Sequence, residues 1–235
     1  MKFNTTALLT SRNTLLSLCV LTAMMALGTS NTAHAGGVAL GSTRLIYPQG
    51  EKQVNMTISN SDKEQSFLVQ SWVSDADGHK SDKFLITPPL FVLKPAKENI
   101  VRVMYTGPVL ATDKESLFYL NSKAIPSVDK GAIKGNALQI ATQSVIKLFV
   151  RPANLPVKSS EAPGMLRCDF KSGELIISNP SPYYITLVEF VVDGKRFPNT
   201  MVPPKGTQSI KASSGAIAFQ TMNDYGALTP KQFCK

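Results

Sequence analysis

The chain has little helical signal, little histidine, a single tryptophan and no cluster of charge. Scarcely any segment repeats apolar residues at a 3.6-residue spacing, which argues against helical bundles and α/β folds. The Lys and Arg residues are scattered, with no run of three, so the formal charge of +9 does not form a nucleic-acid footprint. We find no nucleophile-elbow motif, no Gly-rich phosphate loop, no C-x-x-C pair and no metal-ligand cluster. Beyond position 35 the one His is His79, beside an Asp-Gly turn, and carboxylates are sparse. These absences weigh against an enzyme, a metal or cofactor site and a nucleic-acid partner.

What is present begins with a leader. Lys2 and Arg12 are the only charges in the first 35 residues, Leu15 to Leu27 is an apolar run, and Ala33-His34-Ala35 has the pattern of a cleavage site. The run falls short of the ~20 residues that a membrane span needs, and no later segment qualifies. We expect a signal peptide over 1–35, cleaved after Ala35, and an exported chain from Gly36 to Lys235. Losing two basic and no acidic residues takes the formal charge from +9 to +7. Cys19 leaves with the leader. Cys168 and Cys234 remain, either as a disulfide suited to an oxidising compartment or as two buried thiols. The disulfide would close a loop of about 66 residues and contribute roughly 3–5 kcal/mol in the chain-entropy model.

Short β-rich runs separated by turns fill the rest. Strands are expected near Val38–Tyr47, Val54–Asn60, Phe67–Ser74, Phe84–Thr87, Ile100–Tyr105, Leu117–Ile125 and Leu138–Val150, with turns at Asp77-Gly78 and Pro88-Pro89. Seven strands at this spacing predict an antiparallel sandwich of immunoglobulin type, with Trp72 as a buried aromatic. Both remaining Cys follow Trp72, so the sheets of this first domain are held by packing alone. Arg151-Pro152-Ala153-Asn154-Leu155-Pro156 reads as a short, stiff joint. A second strand set follows at Met165–Phe170, Glu174–Ser178, Tyr184–Val192, Gln208–Lys211, Ala216–Met222 and Ala227–Phe233, with a hairpin turn at Asp193-Gly194. The fold class is therefore all-β, two immunoglobulin-like sandwiches, with domains at 36–152 and 157–235 and a linker at 153–156.

The seventh run is the most informative. Leu138 to Val150 is about twice the length of an ordinary strand of 5 or 6 residues. A strand of that length can extend past its own sheet and offer an edge to a partner. Lys147 lies among Val145, Ile146, Leu148 and Phe149, where an unpaired ammonium is costly. Leu138 and Ile140 share a parity that Lys147 does not. Either a bulge intervenes or the two features address different surfaces.

The chain resembles the periplasmic chaperones of the chaperone–usher pilus pathway, the PapD-like family. The resemblance is carried by Gly41-Ser42-Thr43-Arg44-Leu45-Ile46-Tyr47-Pro48, Thr87-Pro88-Pro89-Leu90-Phe91, Glu115-Ser116-Leu117-Phe118-Tyr119-Leu120-Asn121 and Ala124-Ile125-Pro126. It continues through Ile146-Lys147-Leu148-Phe149-Val150-Arg151-Pro152, Asn179-Pro180-Ser181-Pro182-Tyr183-Tyr184 and Asn223-Asp224-Tyr225-Gly226. These pieces run in family order from position 41 to position 226.

The resemblance implies a periplasmic chaperone whose two domains form a boomerang around a cleft. It implies partners: pilus subunits, which the chaperone binds, folds and caps, and an outer-membrane usher that receives them. Arg44 and Lys147 match the cations that hold a subunit's C-terminal carboxylate. Leu138, Ile140 and Thr142 match the positions of a donated strand that fills the open groove of the subunit; Thr142 departs from the larger apolar residue usual there. Glu115, Arg151 and Asp224 match a charged trio that orients the two domains. The loop from Ser127 to Asn136 resembles the short-loop subclass.

Two rivals come from other classes. An enzyme lacks the motifs named above. A carbohydrate-binding or adhesive sandwich module would need an aromatic platform, and Tyr183-Tyr184 is the only adjacent aromatic pair on an expected loop. The residues leave open whether the free chain caps its own edge as a homodimer.

Overall fold

The computed structural model describes residues 36–127, 138–212 and 214–234. The expected leader and most of the Ser127–Asn136 loop lie outside the described residues. No helix among the described residues is long and apolar enough to cross a membrane.

The first sandwich contains β1 (Val38–Leu40), β2 (Arg44–Pro48), β3 (Val54–Asn60), β4 (Phe67–Ser74), β5 (Phe84–Thr87), β6 (Leu90–Leu93), β7 (Glu98–Tyr105), β8 (Ser116–Pro126) and β9 (Thr142–Arg151). One sheet has the order β1-β3-β7-β5 and the other β2-β9-β8-β4-β6. Period-two alternation builds the core between them: Phe118, Leu120 and Ala124 of β8 and Phe67, Val69 and Val73 of β4 point inward and are buried. Phe84 lies at the centre of an aromatic group, edge-on to Tyr47, Tyr105 and Phe118 with ring centroids 6.3, 5.0 and 4.8 Å away. Trp72 is not in this core. It alternates with Ser71 and Val73, faces away from the opposing sheet and is half-buried.

The expected first strand, Val38–Tyr47, is two. After Leu40 the Gly41 amide donates to the Thr57 carbonyl (2.8 Å), and the chain then crosses from one sheet to the other. Alternation reports which face a residue takes, not which sheet it joins, so the crossing is invisible to it. The second half, β2, pairs parallel to β9, with Arg44 opposite Lys147 and Pro48 opposite Arg151. Every other pairing of named strands is antiparallel. Strand β6 was hidden by the Pro88-Pro89 pair, which reads as a turn but here carries the chain between sheets, through a cis Thr87–Pro88 bond.

Strand β9 is also shorter than the alternation predicts. Its ladder with β8 runs without a register shift from Ser116–Val150 to Ala124–Thr142 and stops there. Leu138 and Ile140 precede the strand and are 87% and 65% exposed. No bulge separates Thr142 from Lys147, so even positions face the core and odd positions the outer surface. Lys147 therefore points away from the face that Thr142 shares with Leu148.

The second sandwich contains β10 (Arg167–Lys171), β11 (Glu174–Asn179), β12 (Ile185–Val192), β13 (Lys195–Arg196), β14 (Thr200–Val202), β15 (Gly206–Lys211), β16 (Ile217–Thr221) and β17 (Gln232–Phe233). Its sheets are β10-β11-β15 and β13-β12-β16-β17, with β14 also on β12. Leu175, Ile177, Leu187, Phe190 and Phe219 form the core. The expected strand over Ala227–Phe233 shrinks to β17. Pro230 has no amide to donate, and Thr229 uses its hydroxyl to accept from the Thr221 amide (2.9 Å). Cys168 and Cys234 form a disulfide with Cα atoms 5.8 Å apart. It ties the edge strand β10 to the residue after β17, the edge of the opposing sheet.

Candidate functional site: a cationic cleft beside an open strand edge

Arg44 begins β2 and Lys147 lies opposite it in β9, so parallel pairing puts both side chains on the same outer face. Arg44 is 8% exposed. Its Nη1 donates to the Met222 carbonyl in the second sandwich (3.0 Å), while its buried Nε has no partner among the described residues. The Lys147 Nζ donates to Thr186 Oγ1, also in the second sandwich (2.8 Å). Neither cation is paired with a carboxylate among the described residues. Burial, and then the neighbouring Arg44 charge, pulls the Lys147 ammonium down to about 8. Burial also lowers Arg44, against the attraction of Asp224 and Glu115.

The acids nearby are already engaged. The Arg151 Nε donates to Glu115 Oε1 (2.7 Å), and its two terminal nitrogens donate to the two oxygens of Asp224 (both 2.7 Å). The planar fork of Arg suits this double bridge. Glu115 takes a further bond from the Tyr184 amide (2.8 Å), its own amide donates to the Pro182 carbonyl (2.9 Å), and Ser159 Oγ donates to Asp224 (2.8 Å). Glu115 and Arg151 belong to the first sandwich and Asp224 to the second, so the trio ties one domain to the other. Burial pushes the Glu115 carboxyl up, against the pull of Arg151. Burial works the same way on Asp224, but its bonds to Arg151 and Ser159 outweigh it and hold the carboxyl low. Tyr183 is buried with its ring 5.0 Å below the Arg151 guanidinium, and Tyr184 packs against Phe149 at 5.7 Å. Neither forms a sugar platform.

The third element is an edge. Strand β9 has β8 on one side along its length, but β2 covers the other side only from Lys147 onward. From Thr142 to Ile146 that side has no partner among the described strands. Val145, on the outer face, is 52% exposed. The unpaired edge therefore ends where Arg44 and Lys147 begin.

The sequence matches two family models: the pili and flagellar-assembly chaperone PapD N-terminal domain over residues 37–156, and the pili assembly chaperone PapD C-terminal domain over residues 161–233. The chain belongs to the PapD family of pilus-assembly chaperones. Among PapD-family relatives it is 48% identical over 206 residues to the probable fimbrial chaperone SfmC of Escherichia coli K12, covering 86% of this chain and 90% of that protein. It is 46% identical over 211 residues to the chaperone protein FimC of the same strain, covering 88% and 87%. Of solved structures, the periplasmic chaperone SfaE matches with a TM-score of 0.75 at 44% identity, over 84% of this chain and 99% of that one. A chain from the complex of the Salmonella enterica SafA pilin with the SafB chaperone matches with a TM-score of 0.75 at 30% identity, over 84% and 95%.

Several contacts carry no mark in the sequence. Thr186 and Met222 meet the two cations only because the domains abut. Lys205 of the second sandwich pairs with Asp113 of the first at 2.6 Å, a further tie between domains. Asp75, Asp77 and His79 bring their donor atoms within 4.8 Å of one another, a cluster that linear spacing did not suggest. Its setting is an exposed hairpin turn, where one Asp75 oxygen accepts from the amides of Asp77 and His79 (3.0 and 2.9 Å); turn closure explains the convergence.

Proposed function

We propose that this chaperone binds, folds and caps pilus subunits in the periplasm by lending them its own edge, and then delivers them to an outer-membrane usher. The carrying observation is the buried Arg44 Nε without a partner, beside Lys147, at the foot of the uncovered edge of β9. A carboxylate there would accept charge-assisted bonds from two cations that form no ion pair among the described residues. The chain terminus of a client supplies such a group.

Direction follows from the same geometry. A client strand on Thr142–Ile146 lies in line with β2. Its C-terminus meets Arg44 only if it runs parallel to β9, as β2 already does. If the chaperone strand extends back to Leu138, the even positions Leu138, Ile140 and Thr142 fall on one face and enter the core of the client. Each apolar side chain buried there contributes roughly 1.5–3 kcal/mol, so Leu138 and Ile140 dominate and Thr142 adds little. This is strand addition with alternate side chains providing specificity.

On this reading the chain is not an enzyme. Residues 1–35 are a cleaved export signal, 36–152 the chaperone domain, 153–156 the linker and 157–235 the second domain. The exposed edge also fits self-capping by a second copy while no client is bound. A carbohydrate-binding role is disfavoured by the engagement of Tyr183 and Tyr184 at the domain junction. The test is coexpression with export-signalled products of neighbouring genes, followed by mass spectrometry and a structure of the complex. A client docked away from residues 138–147 would overturn the proposal.

A further inference from the structure

The loop Met222–Gly226 is fixed at nearly every position. The Met222 carbonyl accepts from Arg44. Asn223 Oδ1 accepts from the amides of Tyr225 and Ala227 (3.0 and 2.9 Å), and the Asn223 amide donates to the Ala227 carbonyl (2.9 Å). Asp224 holds Arg151 and Ser159. Gly226, at φ +80°, lies so close to Thr43 that an added Cβ would collide with its Oγ1. Thr43 directly precedes Arg44. The exception is the Tyr225 side chain. It is 92% exposed, has no aromatic partner among the described residues, and stands with Arg44 and Met222 on the lining of one cavity of about 240 Å³.

A large aromatic on a hydrogen-bonded loop, left bare at the rim of a cationic site, adds no buried contact to its own fold. Tyrosine offers wide contact area with only two side-chain torsions to order, and aromatic residues of this kind concentrate binding energy at interfaces. The one acid beside it, Asp224, is neutralised by Arg151, so nothing on the loop repels an incoming carboxylate. We infer that Tyr225 packs on the last side chain of the client and selects an apolar or aromatic residue next to its terminal carboxylate. This rests on the reading of Arg44 and Lys147 as the carboxylate site.

The test uses two synthetic peptides of alternating threonine and valine with free carboxylates, one ending in Phe and one in Gly, titrated into the full chain. Tyr225→Ala should weaken the Phe-ending peptide by about fivefold to tenfold and leave the Gly-ending peptide nearly unchanged, while Tyr225→Phe should bind both as the native chain does. Equal affinities of the native chain and Tyr225→Ala for the Phe-ending peptide, with binding still abolished by Lys147→Ala, would overturn the role of Tyr225 alone. If Lys147→Ala has no effect, or the native chain binds neither peptide, the carboxylate reading fails as well and takes this inference with it.

Discussion

Arg44 and Lys147 face each other across the parallel β2–β9 pair, two like charges held side by side. Each reaches into the second sandwich for a single neutral oxygen acceptor, the Met222 carbonyl and Thr186 Oγ1. Burial and the Arg44 charge both lower the Lys147 ammonium, whereas Asp224 and Glu115 attract Arg44 and offset only part of the effect of its burial, and this shapes the first two expectations.

Replacing either cation should abolish capture and spare the fold. Losing one partner of a desolvated charge pair typically costs 2–5 kcal/mol of binding, or roughly 30-fold or more in affinity. Lys147→Ala removes a half-buried ammonium that the native fold disfavours, so its thermal midpoint should equal or exceed that of the parent. Subunit yield after coexpression, read beside a melting curve, checks both halves. Normal yield in Lys147→Ala and Arg44→Ala would sink the cleft model.

Capture should weaken in mild alkali. In the free chain Lys147 titrates near 8, below its unfolded value, so the unfolded chain binds more protons between the two values. Its contribution to folding stability therefore rises with pH across the window from about 8 to 10.5. Client binding has the opposite sign: a carboxylate favours the charged ammonium, so binding above pH 8 takes up a proton. Affinity should then fall by up to about tenfold per pH unit. Isothermal titration in buffers of different ionisation enthalpy would detect that proton.

Leu138→Glu and Ile140→Glu should each weaken capture strongly, because they carry a charge into an apolar groove, whereas Thr142→Val should tighten it slightly. Both Leu138 and Ile140 are exposed in the free chain, so the melting point should stay where it is. Unchanged affinity in both Glu variants would show that the strand is not lent.

Arg151→Ala should destabilise the chain by about 3–5 kcal/mol, since it leaves the Glu115 carboxylate buried without its partner. Asp224→Asn should act on the acid side. The folded Asp224 carboxyl is held below its ordinary 3.8, so it contributes stability above that value that is lost as the pH falls through the lowered one. The variant should therefore show a flatter acid limb in a plot of stability against pH.

Reduction of Cys168–Cys234 to two thiols should raise the intact mass by two hydrogen atoms and lower the stability of the second sandwich by about 4 kcal/mol. An unchanged denaturant midpoint after reduction would argue that the small core suffices alone.

Alternation made the strands legible where inward and outward residues differ in polarity, as at Val54, Met56 and Ile58 against Asn55, Thr57 and Ser59. It was silent where polarity does not change with the event. The crossing at Gly41–Thr43 keeps the same residue types on either side of the jump, and Trp72 is apolar on a face that is not the core. The family resemblance named the residues of the trio and the two cations, and the structure brings each group together. It did not indicate Thr186, Met222 or the Asp113–Lys205 pair, whose positions depend on how one domain meets the other and have no local pattern.

The β2–β9 pairing has a bearing on how the molecule comes into being. Synthesis releases the chain from its N-terminus, and Arg44 emerges long before its neighbour Lys147. Until position 151 is free, β2 has no partner in its sheet and β8 lacks the strand that covers its flank. The nascent first domain must therefore wait as a half-built layer with apolar surface uncovered, the same predicament from which it is proposed to rescue its clients.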